Sequence, residues 1–446
     1  MFSNIPKFKF LLSLTLLTTL SLPLFAQVWT LQQCIDTAQQ HNMSLQISRN
    51  NMEMSTEKEK EAKANLIPKV KLDADYKYFF DQPYQLMPAS AFGGPEGKFN
   101  EIQFGTPHNI NIGLSAALPL YNPQIYGAIS STRVATKLNE LQYRKTWEEV
   151  VYNVSNLYYN AQVLKHQLVF IDSNLVNTSK LLNTMKLLHA QELAQSTDVQ
   201  NIQLQEAKLN VQRETVNNTL TKVIRLLKFT MGIPDDQPFD VEPEIEYKPG
   251  TQYTHKLLID VQLLQTKKSL LASEVKSLKN SRIPTVTAFG GYSEVGFGYI
   301  DKPNNGFLNF YPTSFVGLKL SMPIFNGTVT KRKITQKSLE LKNSDLQLSL
   351  LNKKTNIEIE NAKNQRKVAL RNIMNTKIQI NLAKSVYKNT VLQQEQGLAS
   401  ITDVLMADSN LKEAQQNYIN AVVDYLKADL ELKKLTGNIE LSTVNN

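Results

Sequence analysis

One hydrophobic seam, held in phase from Tyr143 to His189, leaves this chain few ways to fold. Tyr143, Trp147, Val150, Val154, Leu157, Ala161, Leu164, Leu168, Ile171, Leu175, Thr178, Leu182, Met185 and His189 follow one another in alternating steps of four and three. That is a 3.5-residue repeat, and a helix that keeps it supercoils left-handed around a neighbour. No glycine or proline interrupts the stretch after Gly127. The spacing therefore predicts one helix over about 127–190, roughly 90 to 100 Å long at 1.5 Å per residue. An ordinary globular domain is smaller than that, so the helix spans a distance. Its other faces are polar, with Asn139, Gln142, Lys145, Asn153, Asn156 and Asn160.

The rest of the chain is read against that helix. Residues 1–26 have the form of a secretory signal: Lys7 and Lys9, an apolar run from Phe10 to Phe25, then Ala26 at a small-residue cleavage position. Thr30 is placed to cap a helix that continues to about Leu66 and stops before Pro68. The period then changes to two. Val70, Leu72, Ala74, Tyr76, Tyr78 and Phe80 alternate with Lys71, Asp73, Asp75, Lys77 and Phe79. Ile110, Ile112, Leu114, Ala116 and Leu118 alternate with Asn109, Asn111, Gly113, Ser115 and Ala117. These predict strands at about 70–80 and 109–119 with one apolar and one polar face, long enough to cross a bilayer as tilted barrel strands. Asp81 to Pro107, rich in Gly, Pro and aromatics, is expected to be a surface loop. The long helix reverses near Gln191 to Ser196, returns from about Thr197 to Met231, and ends at Gly232.

Then the pattern repeats. A helix from about Tyr253 stops at Pro284, strands are expected at about 285–295 and 315–324, and a second long helix begins near Thr328. It turns at Gln396-Gly397-Leu398-Ala399 and returns from about Thr402 to Leu435. The last helix carries Val404, Ala407, Leu411, Ala414, Tyr418, Ala421, Tyr425, Ala428, Leu432 and Leu435 in the same four-three alternation. The shift that carries Asp198 onto Asp403 carries Val199, Ile202, Leu209, Val216, Leu220, Val223 and Leu227 onto members of that seam. The chain thus divides into a signal (1–26), a first repeat (27–232), an irregular Pro- and acid-rich segment (233–252), a second repeat (253–437) and a tail (438–446).

Four amphipathic strands do not close a barrel, and an open edge in lipid leaves backbone groups unpaired at several kcal/mol each. Three copies would supply twelve strands, an even number within the known range. The expected fold is mostly α with membrane β: a trimeric 12-stranded barrel in the membrane, continued by a long α-helical coiled-coil barrel.

Other functions find little support. The formal net charge of +9 is carried by lysines spread among acids along the helices, as on a solvated surface, so nucleic acid is not an expected partner. His41, His108, His166, His189 and His255 are scattered, without the spacing of a metal site, and no nucleophile elbow or phosphate loop is present. Catalysis, a metal and a cofactor are not expected. Cys34 is the only cysteine, which excludes an intrachain disulfide, and it is read as a helix residue.

The order of these elements, duplicated, resembles the TolC family of outer-membrane efflux and secretion channels over about Leu31 to Gly437. The marks are Ile67-Pro68 and Ile283-Pro284 before the first strand of each half, Leu118-Pro119-Leu120-Tyr121 and Met322-Pro323-Ile324-Phe325 at the strand ends, and the two helical tips. The resemblance implies a homotrimer with its barrel in the outer membrane and its helices in the periplasm, the 233–252 segment lying in an equatorial belt. It implies as partners a periplasmic adaptor, an inner-membrane transporter and outer-membrane lipid. The function it implies is the exit duct of a tripartite efflux pump. The duct of a type I protein secretion system, and a non-channel periplasmic coiled coil, stand as alternatives. Asp198 and Asp403 are the candidates for a gate or selectivity ring at the tunnel end, or else simple complements to a helix dipole. Glu192, Leu193, Ala194, Gly397, Leu398 and Ala399 are the candidates for adaptor contact. Some members tie this region with an arginine two residues after the glycine; here that residue is Ala399.

Overall fold

The computed structural model describes residues 28–439 apart from 104, 246, 248, 251 and 299–308. The expected signal, residues 299–308 between the second pair of strands, and the tail beyond Ile439 lie outside the described residues.

A short strand β1 (Val28–Trp29) leads to Thr30, whose hydroxyl accepts the Gln33 N–H while the Gln33 side chain accepts the Thr30 N–H. This capping box starts α1 (Leu31–His41). The single helix expected from Thr30 to Leu66 is in fact two, because Asn42 is extended (φ −63°, ψ 123°) between α1 and α2 (Met43–Ala64). Its amide group caps α2 by accepting the Leu45 N–H and donates to the Thr230 carbonyl at 2.7 Å. The break has a tertiary cause. The C-terminus of α4 (Ser196–Met231) docks there through Gly232, which is left-handed (φ 75°), and a Cβ on it would overlap the His41 carbonyl.

Strand β2 (Lys69–Tyr78) pairs antiparallel with β5 (His108–Tyr121). Between them the expected loop holds a small hairpin, β3 (Tyr84–Pro88) and β4 (Phe99–Gln103), around a 3-10 turn at Ala89–Phe92. Helix α3 (Pro123–Ala190) begins before Gly127, with Asn122 accepting the Gln124 and Ile125 N–H groups and Pro123 in the first turn. Gly127 lies inside it because Ser277 of α5 (Ile259–Asn280) crosses where a Cβ would stand. After α4, β6 (Asp240–Val241) pairs parallel with β1. Residues expected to open α5 are instead held against the end of the chain: Lys256 N–H donates to Thr436 O and the Asn438 amide to Thr254 O. Strands β7 (Thr285–Gly298) and β8 (Asn309–Ser321) follow, then α6 (Val329–Glu395) and α7 (Ile401–Leu435). Strand β8 stops at Ser321, short of the expected Ile324, before Pro323, which has no N–H to offer a ladder.

The large sheet runs β2-β5-β7-β8, antiparallel throughout, so the two repeats join directly at β5–β7. The register sets like with like. Val70 faces Ala116, Leu72 faces Leu114, and Leu114 in turn faces Tyr292. On the other face Lys71 meets Ser115, Asp73 meets Gly113 and Asp75 meets Asn111. Among the described residues no core covers the apolar face: Leu72, Leu318 and Leu320 are 67%, 72% and 71% exposed. Among the described residues no helix is long and apolar enough to cross a membrane.

The helices do have a core. Along the α3 seam every residue from Tyr143 to Met185 is buried or half-buried, as is every residue of the α7 seam from Val404 to Leu435. Helix α3 packs on α2, α4, α5 and α7, and α6 on α5 and α7. This leaves α2 and α4 on one flank and α6 on the other. Those flanks carry exposed apolar residues: Met43, Ile47 and Met54 on α2, Leu204 and Val211 on α4, and Leu339, Leu346, Leu350 and Ile357 on α6. The sheet is open on the same two sides, at β2 above α2 and at β8 above α6.

Candidate functional site

The two helical turns farthest from the sheet are built alike. In the first, Leu193 N–H donates to Leu188 O at 2.9 Å and Gln191 N–H to Leu187 O at 3.2 Å. In the second, Leu398 N–H donates to Gln393 O at 2.8 Å and Gln396 N–H to Leu392 O at 3.3 Å. The bond reaching back five residues closes a helix end around one left-handed residue. That residue is Gly397 (φ 76°) in the second turn and Glu192 (φ 63°) in the first. Glycine takes this conformation freely, whereas a side chain in it costs about 1–2 kcal/mol. Leu193 and Leu398 sit at the apex of each turn, 71% and 76% exposed.

Helices α4 and α7 then restart with an acid in the first turn. Asp198 Oδ2 accepts the Gln195 N–H at 3.2 Å. Asp403 Oδ2 accepts the Ser400 N–H at 2.9 Å and its hydroxyl at 2.7 Å, and the Asp403 N–H returns to Ser400 Oγ at 3.2 Å. The Ser400 hydroxyl and N–H hold the Asp403 carboxyl below its usual range. Both acids thus serve as helix caps. The turns also rest on each other: Leu182, Met185, Ile202, Ile401 and Val404 form one buried cluster against which Ala194, Val199 and Tyr387 pack. Ala194 and Ala399 are half-buried; Glu192 and Gly397 are exposed. All eight residues singled out from the sequence lie on or beside these two turns, brought together by the packing of the two hairpins.

Midway along the helices a second constellation ties the 240–258 segment to them. Tyr158 OH donates to Trp29 O at 2.9 Å, Gln162 Nε2 to Glu242 O and Glu244 O at 3.0 and 2.7 Å, and Lys165 Nζ meets Asp240 Oδ2 at 2.7 Å. Arg366 Nε meets Asp429 Oδ1 at 2.7 Å, Tyr253 OH donates to Asp429 Oδ2 at 2.7 Å, and the guanidinium stands over the Tyr253 and Tyr425 rings. Burial, then the bond to Asp429, raises the Tyr253 hydroxyl above its ordinary pKa. Nearby, a cavity of about 420 Å³ is lined by Arg144, Trp147, Glu148, Lys256 and Gln262. Burial first, with Asp260 and Glu149 adding to it, pushes the Glu148 carboxyl up to about 7 against the pull of Arg144 and Lys434. Sequence spacing could not have found these groups, since their partners lie on separate elements. Cys34 is fully buried in the core, and burial, then Glu242, drives its thiol up to about 12, so it is inert there.

This arrangement has counterparts among known proteins. A family model described as outer membrane efflux protein matches residues 270–438. The chain is 22% identical over 445 residues to outer membrane protein TolC of Escherichia coli K12, covering 94% of this chain and 85% of that one. It is 21% identical over 447 residues to the TolC of Salmonella enteritidis, with 96% and 85% covered. Among solved structures, the outer membrane protein VceC from Vibrio cholerae superposes with a TM-score of 0.72 at 16% identity, over 91% of this chain and 96% of that one. The Campylobacter jejuni CmeC outer membrane channel does so with a TM-score of 0.72 at 14% identity, over 91% and 85%.

Proposed function

Because this chain belongs to the TolC family of outer-membrane efflux proteins, we propose that three copies of it close into the exit duct of a tripartite efflux pump. One observation carries the reading: sheet and helical layer are unfinished on the same two sides. Strand β2 and helices α2 and α4 form one open flank, and β8 and α6 form the other. Joining the flanks of successive copies completes both layers together, giving a continuous wall of twelve strands above and coiled helices below. The sheet's apolar face then meets outer-membrane lipid, and the face with Lys71, Asp73, Asp75 and Lys77 meets water inside. The helices extend into the periplasm.

The tips face the machinery that delivers cargo. Leu193 and Leu398, exposed at the apex of rigid turns, are the contacts offered to a periplasmic adaptor, flanked by Glu192, Ala194, Gly397 and Ala399; the adaptor links the duct to an inner-membrane transporter. Asp198 and Asp403 place negative charge around the tunnel end beyond their capping role, favouring cations there. With Ala399 in place of a basic residue, closure rests on packing such as the Leu182–Met185–Val404 cluster. The test is direct. Purified protein should run as a heat-resistant trimer in detergent and give single-channel conductance in a planar bilayer. A water-soluble monomer without conductance would overturn the reading.

A further inference from the structure

Each half of the large sheet is a hairpin, and the hairpins are equivalent residue by residue. Pro68 and Pro284 precede their first strands; Pro119, inside the last turn of the β5 ladder, and Pro323, just past the end of β8, hold the same place in the motif although β5 runs on to Tyr121. The observed registers agree: Lys69 faces Ala117 in one hairpin, and Thr285 faces Ser321 in the other. Strand β2 is therefore the counterpart of β7, and β5 of β8. The protomer contains one joint between hairpins, β5 to β7, where Ala117 faces Phe289, Ser115 faces Gly291 and Leu114 faces Tyr292. The two edge strands left over are β8 and β2, the counterparts of β5 and β7.

We propose that β8 of one copy pairs antiparallel with β2 of the next in the register that sets Lys319 opposite Asp75, forming an ion pair inside the barrel that locks the seam between subunits. The assignment follows by moving the observed joint one hairpin along. Ser115 becomes Lys319 and Gly291 becomes Asp75. Leu114 and Tyr292 become Leu318 and Tyr76, so the leucine–tyrosine pair on the outer face recurs at the seam. Leu320 then meets Ala74 and Val316 meets Tyr78, and the outer face stays apolar across the joint.

Charge supports the same register. Lys319 is exposed on the polar face of edge strand β8 and has no ion-pair partner among the described residues. The central pair of charges on β2 is acidic, Asp73 and Asp75, flanked by Lys71 and Lys77. Asp75 is already fixed by the Asn111 amide at 3.1 Å and by Lys77 Nζ at 3.1 Å. The proposed register puts Lys319 opposite Asp75 and diagonal to Asp73. A slip of two residues one way sets Lys319 against Lys77, which like charge disfavours. A slip of two the other way keeps an acid opposite it but loses the Leu318–Tyr76 pair.

The proposal rests on the trimeric channel reading, and cysteine pairs separate the two. Directly opposed residues come within disulfide range, whereas diagonal ones stand about 7–8 Å apart. Oxidation of an Asp75→Cys/Lys319→Cys variant should give covalent trimers in denaturing gels after boiling, with Asp73→Cys/Lys319→Cys and Lys77→Cys/Lys319→Cys giving little. Heat-resistant trimers that cross-link through either offset pair, or through none of the three, would overturn the register and leave the channel standing. Absence of any heat-resistant trimer in the unaltered protein would overturn the channel reading itself. Charge reversal tests the ion pair separately. Asp75→Lys and Lys319→Asp alone should lower the temperature at which trimers dissociate, and the double reversal should recover most of that loss. A double variant no better than the worse single one would rule the pair out.

Discussion

Leu114 and Ser115 are neighbours on β5, yet the sheet assigns them to opposite worlds. Leu114 lies between Leu72 and Tyr292 on the outer face, 49% exposed with no protein layer over it. Ser115 lies between Lys71 and Gly291 on the polar face. Near the middle of a barrel strand, an arginine on the lipid side costs about 2–4 kcal/mol. Three copies raise that to roughly 6–12 kcal/mol per trimer. The same residue on the watery face keeps its hydration, and beside Lys71 it meets only a screened repulsion of about 0–1 kcal/mol. Leu114→Arg should therefore block or strongly slow refolding of the trimer into lipid vesicles, whereas Ser115→Arg should refold close to normally. The assay is urea-titrated refolding into vesicles, scored by heat-resistant trimer on gels. Equal behaviour of the two variants, or greater damage from Ser115→Arg, would refute the assignment of faces and with it the membrane barrel.

Four further outcomes are expected. Glu148 has a folded-state pKa raised to about 7 by burial, so the folded state holds its proton more tightly than the unfolded chain; its stabilising effect is complete below about pH 4.5 and is lost as pH rises through about 7, and Glu148→Gln should flatten the fall in melting temperature between pH 5 and pH 8. Arg366→Met, which leaves Asp429 with Tyr253 alone, should cost about 2–3 kcal/mol, Tyr253→Phe should cost about 1 kcal/mol, and their effects should be non-additive in a double-mutant cycle of denaturant unfolding in detergent. Glu192→Gly should relieve about 1 kcal/mol of left-handed strain and slow amide exchange in the first turn, whereas Gly397→Ala should speed exchange in the second. Replacing Asp198 and Asp403 together by Ala should reduce cation preference in bilayer recordings; unchanged selectivity would leave them as caps alone.

Periodicity carried much of this structure. The α3 and α7 seams are buried along the length that their four-three spacing marks out, and the alternating strands pair with their apolar positions in register. The turns were legible because helix ends have local chemistry: an acid three residues after a cap, and a glycine at the left-handed position. Glu192 is the instructive case, since its residue type argues against the geometry that the duplicated context imposes. What stayed hidden depends on distant groups. Asn42 is a residue type that favours a helix cap, but the break is imposed there because Gly232 arrives from the end of α4, which no property of residues 38–46 announces. The hairpin of β3 and β4 was lost in a Gly- and Pro-rich composition that reads as loop. Arg366, Asp429 and Tyr253 meet only through the packing of α6, α7 and the segment before α5. Propensity places the start of α5 too early, because Thr436 and Asn438 hold residues 254–256 outside the helix through bonds that no local signal records.

The duplication preserved backbone register and let the chemistry of the inner face diverge. In the first hairpin that face is ionic, with Lys71, Asp73, Asp75 and Lys77 facing Ser115, Gly113, Asn111 and Asn109. In the second, aromatic rings lie over glycines. A Cβ on Gly317 would come within 2.8 Å of the Phe289 ring and one on Gly291 within 3.1 Å of Phe315, while the two rings meet edge-on at 5.9 Å. A side chain at Gly317 would push the Phe289 ring aside, and one at Gly291 would press on the Phe315 ring, so glycine lets both rings lie flat on the strands. These reciprocal stacks fill the inner face here without adding charge. A closed trimer built from these hairpins is close to sixfold in its backbone and threefold in its chemistry, with charged and aromatic sectors alternating around the bore. The subunit seam falls between an aromatic sector and a charged one, and Lys319 is the residue through which the two meet.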